Sequence, residues 1–368
     1  MIIHLDKAGS LIRFKDCLAS TLAEPTVQGV FILACEANQL PEDKLNELLR
    51  KVRVPVIGGI FPEIFHQQTR LDRGFIMLGL PQAPEVSLIP NVSNPKTNLR
   101  QHLHSHSLPK GAARTMIVLV DGQATRISSL MEALYCRFGL QTNFLGAGAG
   151  SQHSGLQGCL FSKEGMLSDH AILASLAIPS HIHVSPRTQK LQGPFPITLG
   201  DPNTIQLLSH KPAFEHYRHI LAAATGQTVN RQNFSEIARF YPFGLNRSEG
   251  KRIVREPLLV RDDGAIVCRG GMEGEHFVDI LSFSPQESSP LEAQTTLSHP
   301  TNIDSTCLLL TSVAHAQHMA DAFTRMLRSQ QQLHPSFIGA LTLGEIGNQG
   351  GTHLEYHSHT TVTGLLDA

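Results

Sequence analysis

The chain has 368 residues, room for about two and a half domains at roughly 150 residues each. Its 30 Lys+Arg against 31 Asp+Glu leave a formal charge of −1, so it offers no basic field for nucleic acid and no polybasic patch for an anionic membrane. Only 17% of residues are charged and 41% are hydrophobic, which excludes a disordered chain, while 20 histidines beside 4 tyrosines and no tryptophan raise metal ligation and titration near neutrality.

One unit recurs along the chain. Residues 27–34 form an apolar run suited to a buried strand. Residues 41–50 follow, with Pro41 at a helix start and acidic residues in its first turn. Residues 54–59 read as a second strand ending in Gly58 and Gly59. The second copy is a strand at 115–120, a helix at 127–138 and a strand at 142–147. The third is a strand at 306–311, a helix at 314–330 and a strand at 336–340. Within each copy roughly thirty residues separate the first strand from the glycine of the second, the length of a strand, a crossover helix and a parallel neighbour.

Between the copies lie hairpin signals, Lys163-Glu164-Gly165 and Asp262-Asp263-Gly264, each between two apolar runs. Residues 214–224 and 234–240 read as helices, 200–204 as a domain junction, and 285–290 as a polar surface loop. The fold class expected is α/β: two related α/β halves built from repeated strand-helix-strand units, with additional antiparallel hairpins.

No two of the six cysteines are spaced as a zinc or haem-attachment motif, and Cys35 and Cys307 sit in apolar runs, as reduced core thiols do. The N-terminus lacks signal-peptide order and no run is long enough for a membrane span, which predicts a cytoplasmic protein.

Read as a strand, residues 353–362 put His353, Glu355, His357, His359 and Thr361 on one face. That face either meets water or lines a cavity. Alternate residues stand about 6 to 7 Å apart, so two of them reach one metal only through a bend or with help from another element. His181 and His183 share a second strand face. His315 with His318, and His216 with His219, read as helix-surface pairs, and His102, His104 and His106 as an exposed segment. Gly58, Gly59, Gly146 and Gly339 end apolar strands, where small residues permit a tight turn or a close approach of backbone to a ligand. Gly146, Gly148 and Gly150 match GxGxG only superficially, because they follow a crossover helix instead of opening one. No P-loop, zinc-protease motif or nucleophile elbow is present, and no nucleophile is paired with a base, so the chain reads as a non-enzyme.

Residues 31–34, the helix after them and residues 55–64 resemble the opening of the FIST N-terminal domain. That family often carries a "viGcStaGEi"-like run; this chain keeps Gly58, Glu63 and Ile64 but has Gly59, Ile60 and Pro62 where Cys, Ser and Gly are usual. Residues 337–346, followed by His357, Ser358, His359 and Thr360, resemble the end of the FIST C-terminal domain. The resemblance implies an N-terminal extension at 1–24, a FIST N-terminal domain at 25–203 and a FIST C-terminal domain at 204–368. FIST domains are ligand-sensing modules that feed histidine kinases and cyclic-di-nucleotide signalling, and stand-alone members resemble NosP-type haem nitric-oxide sensors. The implied function is an intracellular haem-binding nitric-oxide sensor regulating a partner histidine kinase. The axial ligand does not carry over by motif; His357, His353 and His183 are the candidates in that order, with His357 on the iron. The alternative is a haem-free sensor of a small metabolite such as an amino acid, held by Gly58, Gly59, Gly146, Gly344, Glu345 and His359. A metal-dependent enzyme using His353, His357 and His359 is a third reading. The expected partners are a small ligand and a signalling protein, with no nucleic acid and no membrane, and a homodimer is compatible.

Overall fold

The apolar runs of the three copies are strands buried on both faces, and each pairs in parallel with the strand beyond its helix. Gly29–Cys35 pairs with Val56–Phe61, Thr115–Asp121 with Asn143–Ala149, and Thr306–Ser312 with Ser336–Thr342. Alternation divides each run. Phe31, Leu33, Ile117, Leu119, Leu308 and Leu310 point into one shared central cluster. Val30 and Ile32, Met116 and Val118, and Cys307 and Leu309 point outward into three separate clusters with the helices. Those helices are Glu42–Arg50, Ile127–Phe138 and, in the third unit, the pair Val313–Met319 and Asp321–Leu333. The computed structural model describes residues 1–38, 40–104, 115–139, 142–151, 158–186, 188–246, 252–272, 276–283, 305–319, 321–348 and 353–367. His106 and the loop expected at 285–290 lie outside them.

Three sheets share one plan. Each runs from an edge strand to an antiparallel neighbour, then the parallel pair, then a short hairpin. In the first sheet the edge strand is Ile2–Asp6, in the second Glu85–Ile89 and in the third Ser180–Pro186. The hairpin always comes from another unit. Ile64–His66 and Thr69–Leu71 follow the first unit's parallel pair but dock on Ser336–Thr342 of the third sheet. Leu160–Ser162 and Gly165–Leu167 follow the second pair but dock on Val56–Phe61 of the first. Glu345–Gly347 and Glu355–His357 follow the third pair but dock on Asn143–Ala149 of the second. The exchange closes on itself, so the three units form a ring stitched by hydrogen bonds around one core.

The third unit carries an insertion. Between Ser180–Pro186 and Thr306–Ser312, where the other two units have the helices Leu11–Ala23 and Leu99–His104, it has a fourth sheet built from Thr188–Asp201 to Phe277–Phe283. Ala213–Thr225 and Phe234–Ala238 are the helices expected there. They pack Phe214, Tyr217, Leu221 and Phe234 against Ile205, Phe243 and Ile280 in a cluster of its own. The turn expected at 200–204 is present but joins two strands of this sheet, pairing Asp201 with Thr204, so it lies inside one folded layer.

The α/β units and hairpins are therefore as expected, two units in the N-terminal half and one, enlarged, in the C-terminal half. Of the six cysteines, Cys35, Cys159, Cys268 and Cys307 are buried and Cys136 is exposed. Among the described residues no helix is long and apolar enough to cross a membrane.

Candidate functional site

Parallel strands leave their C-terminal ends facing one way, and in open α/β sheets those ends are where ligands bind. In the second and third units they face the fourth sheet across a cavity of about 460 Å3. The second unit contributes the loop 122–125 and Ser151. The third contributes Ser312, Gln317, Thr342 and Ser358. The fourth sheet and its helix contribute Ser235, Arg239, Glu256 and Arg269.

Charge is concentrated on the fourth-sheet wall. Arg269 Nε lies 3.4 Å from Glu256 Oε2, and its Nη1 donates to Gly122 O at 2.9 Å. Arg239 Nη1 donates to Gln317 Oε1 at 2.9 Å. Each guanidinium has further N–H donors to spare beyond those contacts. On the ring wall Ser358 is 3% exposed, and its hydroxyl has no hydrogen-bond partner among the described residues. A buried hydroxyl without a partner carries a desolvation cost.

Glu345 and His359 lie behind this wall. Glu345 is fully buried; the Thr342 hydroxyl donates to its Oε1 at 2.5 Å and the Thr360 N–H to its Oε2 at 3.3 Å. Burial outweighs both bonds and pushes its carboxyl pKa well above the usual range. His359 is fully buried at φ 57, edge-on to Phe283 with ring centroids 5.4 Å apart, and neither ring nitrogen has a partner among the described residues. Burial lowers its pKa to about 4, against an opposing pull from Glu256.

The histidine face expected over 353–362 does not form. The chain leaves the second sheet after Glu355–His357, turns through Ser358 and His359, and enters the third sheet at Thr360. The left-handed backbone at His359 breaks the alternation that would have aligned it with His353 and His357. His353 is exposed and rests on Tyr135 of the outer helix, with centroids 4.7 Å apart. His357 is half-buried, its Nε2 3.4 Å from Gly347 O and its pKa lowered by burial to about 4. His183 stands on an edge strand opposite Thr363. None of these histidines lines the cavity, and among the described residues no three His, Cys, Asp or Glu side chains converge on a metal position. His315, expected on a helix surface, is instead buried between the Thr311 and Thr361 hydroxyls, with its ring parallel to Phe283.

The glycines expected to admit a ligand serve packing instead. A Cβ on Gly58 would stand 2.3 Å from Ile32 O, on Gly146 1.8 Å from Val118 O, and on Gly339 2.1 Å from Leu309 O. All three hold one register position, where the two parallel backbones meet. Gly59 makes room for Ala149 where the first and second sheets meet. Gly344 makes room for the Tyr356 ring, whose hydroxyl donates to Leu343 O at 3.1 Å.

The cavity residues Arg239, Glu256 and Arg269 were not singled out from the sequence, and Ser358 only as part of the C-terminal motif. For Arg269 the signal was charge beside turn glycines, Arg269-Gly270-Gly271, in a chain poor in charge.

Two family models match the chain, one after the other. The model of the FIST N domain matches residues 29–211 and that of the FIST C domain residues 213–348. The chain belongs to the FIST family. No curated protein matches it. FIST domains are sensor domains of signal transduction, and this FIST chain joins its two matched regions at the cavity: 122–125 and Ser151 come from the first, Arg239, Glu256 and Arg269 from the second.

The FIST cavity's residues do not fit haem. A porphyrin needs an axial ligand in a largely apolar cleft. Here the walls carry two guanidinium groups, a carboxylate and several hydroxyl and amide side chains; among the described residues none lining it is a histidine, and burial pushes the Cys268 thiol pKa far up, away from the thiolate a haem iron would need.

Proposed function

We propose that this FIST chain senses a small dipolar metabolite of the amino-acid type in the cavity between ring and fourth sheet, and passes its occupancy to a signalling protein such as a histidine kinase. One observation carries this reading: the cavity presents Arg239 and Arg269 together with Glu256 on one wall, with Ser151, Thr342 and Ser358 among the residues of the other. A carboxylate suits the guanidinium forks, an ammonium suits Glu256, and the ring-side serine and threonine residues suit further polar atoms. The volume of about 460 Å3 lies in the range of metabolite sites, roughly 300–1,000 Å3.

The test is a thermal-shift and calorimetric screen of the common L-amino acids, with haemin alongside. At a ligand concentration 100 times its Kd, stabilisation of about 2.7 kcal/mol is expected, and it should vanish in Arg239→Gln. A protein that ignores every amino acid but gains a Soret band with haemin would overturn the reading in favour of the haem sensor.

A further inference from the structure

We infer that the fourth sheet is a ligand-operated cover, hinged on the ring, whose closure over an occupied cavity is the conformational signal. The inference rests on the metabolite-sensing reading above and concerns how that site is regulated.

The cover has its own core. Its buried cluster runs from Ile205 to Ile280, and none of the four ring clusters includes a residue from 188–283. Polar and aromatic contacts cross the seam. Arg269 Nη1 donates to Gly122 O at 2.9 Å, Arg255 Nη1 to Tyr356 O at 3.1 Å, and the Gly271 N–H to Ser128 Oγ at 3.1 Å. Phe283 stacks on His318 with centroids 4.2 Å apart. Bodies with separate cores and a polar seam move relative to one another at little cost, whereas the ring, tied by exchanged hairpins, cannot open without breaking sheets.

The cavity's walls are divided between these two bodies. Arg239, Glu256 and Arg269 ride on the cover, while Ser151 and Ser358 belong to the ring. A ligand that touches both walls binds the closed arrangement more tightly than the open one, and that difference in affinity shifts the population.

Internal repetition supplies an independent argument. In the second unit Ala171 pairs with Val120, two residues past Val118, the partner of Gly146; in the third, Thr361 pairs with Thr311, two past Leu309, the partner of Gly339. Asp169 and His359 are thus equivalent, and both take left-handed backbone, φ 50 and 57. Asp169 is held by the segment after its unit's edge strand: Ser93 N and Oγ donate to Oδ1 at 2.9 and 2.6 Å. In the third unit the fourth sheet follows the edge strand instead, and His359 meets it through the Phe283 ring while its ring nitrogens have no hydrogen-bond partner among the described residues. A permanent closing segment in one unit has been replaced by a separate body in the other.

A disulfide across the seam tests this. A Cβ built on Gly271 lies 3.7 Å from the Ser128 Cβ, within the spacing a disulfide accepts, about 3.5–4.5 Å. Ser128→Cys with Gly271→Cys, in a Cys136→Ser background that removes the exposed thiol, locks the cover when oxidised. Stopped-flow binding of an L-amino acid mixture should be at least tenfold slower in the oxidised protein in both directions, and restored by dithiothreitol. In the unaltered chain, the same mixture should slow hydrogen exchange at the Gly271 amide at least tenfold. Equal binding rates in oxidised and reduced protein, or an unchanged Gly271 amide in a chain that binds, overturn the cover while leaving the sensor intact. A reduced protein that binds none of the mixture overturns the sensing reading and the cover together.

Discussion

The second and third units are the same structure with one substitution of parts. Both run edge strand, antiparallel neighbour, parallel pair and borrowed hairpin, and both place a glycine where the parallel backbones meet and a left-handed residue before the return strand. In the second unit the segment 91–97 folds over the strand ends, with Ser93 bridging Asp169 and the Thr125 amide. In the third, the fourth sheet follows the edge strand instead, and buried polar groups have no hydrogen-bond partner among the described residues beside a cavity. The comparison teaches that the binding site is where the repeat is broken: the ring supplies rigid strand ends, and the insertion supplies charge.

The comparison breaks first if the shared backbone contact is not shared. Gly146→Ala and Gly339→Ala each push a methyl group into a carbonyl of the neighbouring strand, at 1.8 and 2.1 Å, and each should cost about 3 kcal/mol or more in urea unfolding. Gly200→Ala, whose nearest atom stands at 3.6 Å, should leave stability within about 1 kcal/mol of the parent. A tolerated Gly339→Ala would end the equivalence of the units.

The same serine-to-alanine change should have opposite signs in the two units. Ser93→Ala removes a donor to Asp169 and an acceptor for the Thr125 amide, a loss of about 2 kcal/mol. Ser358→Ala removes a buried hydroxyl with no hydrogen-bond partner among the described residues, so the protein should gain up to about 1 kcal/mol. Equal losses at both serines would show that Ser358 is already satisfied.

The finest test is acid titration. His359 and His357 are held neutral, with pKa values lowered to about 4 from the ordinary 6.5. Below 6.5 the unfolded chain takes up their protons and the folded chain does not, so stability is intact above 6.5 and falls as pH drops toward 4. Each contributes a slope of at most about 1.4 kcal/mol per pH unit. Glu345 acts in the opposite sense, because its raised pKa costs stability as pH rises above the carboxylate range. His359→Asn, which accepts left-handed backbone, should flatten the stability profile between pH 4 and 6.5 by one histidine's share. An unchanged slope would place His359 in water.

Legibility followed the range of the interaction. The three strand-helix-strand copies, the Lys163-Glu164-Gly165 and Asp262-Asp263-Gly264 turns and both helices of the insertion were readable, because alternation, caps and turn residues act over a few neighbours. Gly58 and Gly146 were legible as positions demanding a small side chain but not as to what approaches them, which proved to be backbone. The stripe of His353, His357 and His359 misled, since the period-two argument assumes one continuous strand and the chain changes sheets at Ser358. Arg239, Glu256, Arg269 and Ser358 were illegible as a site, for nothing local links residues so far apart in the chain.

By itself, then, the sequence determined the parts: apolar runs long enough to be strands, helices between them, and glycines at matching positions in each copy. Only the tertiary structure decided which sheet each hairpin joins, that the three copies close into a ring, and that the charged wall of the fourth sheet meets the strand ends of two units. The reason is physical. A strand's pattern records that a face is buried but not which partner buries it, and a cavity's chemistry is assembled from side chains that meet only once those partners are chosen.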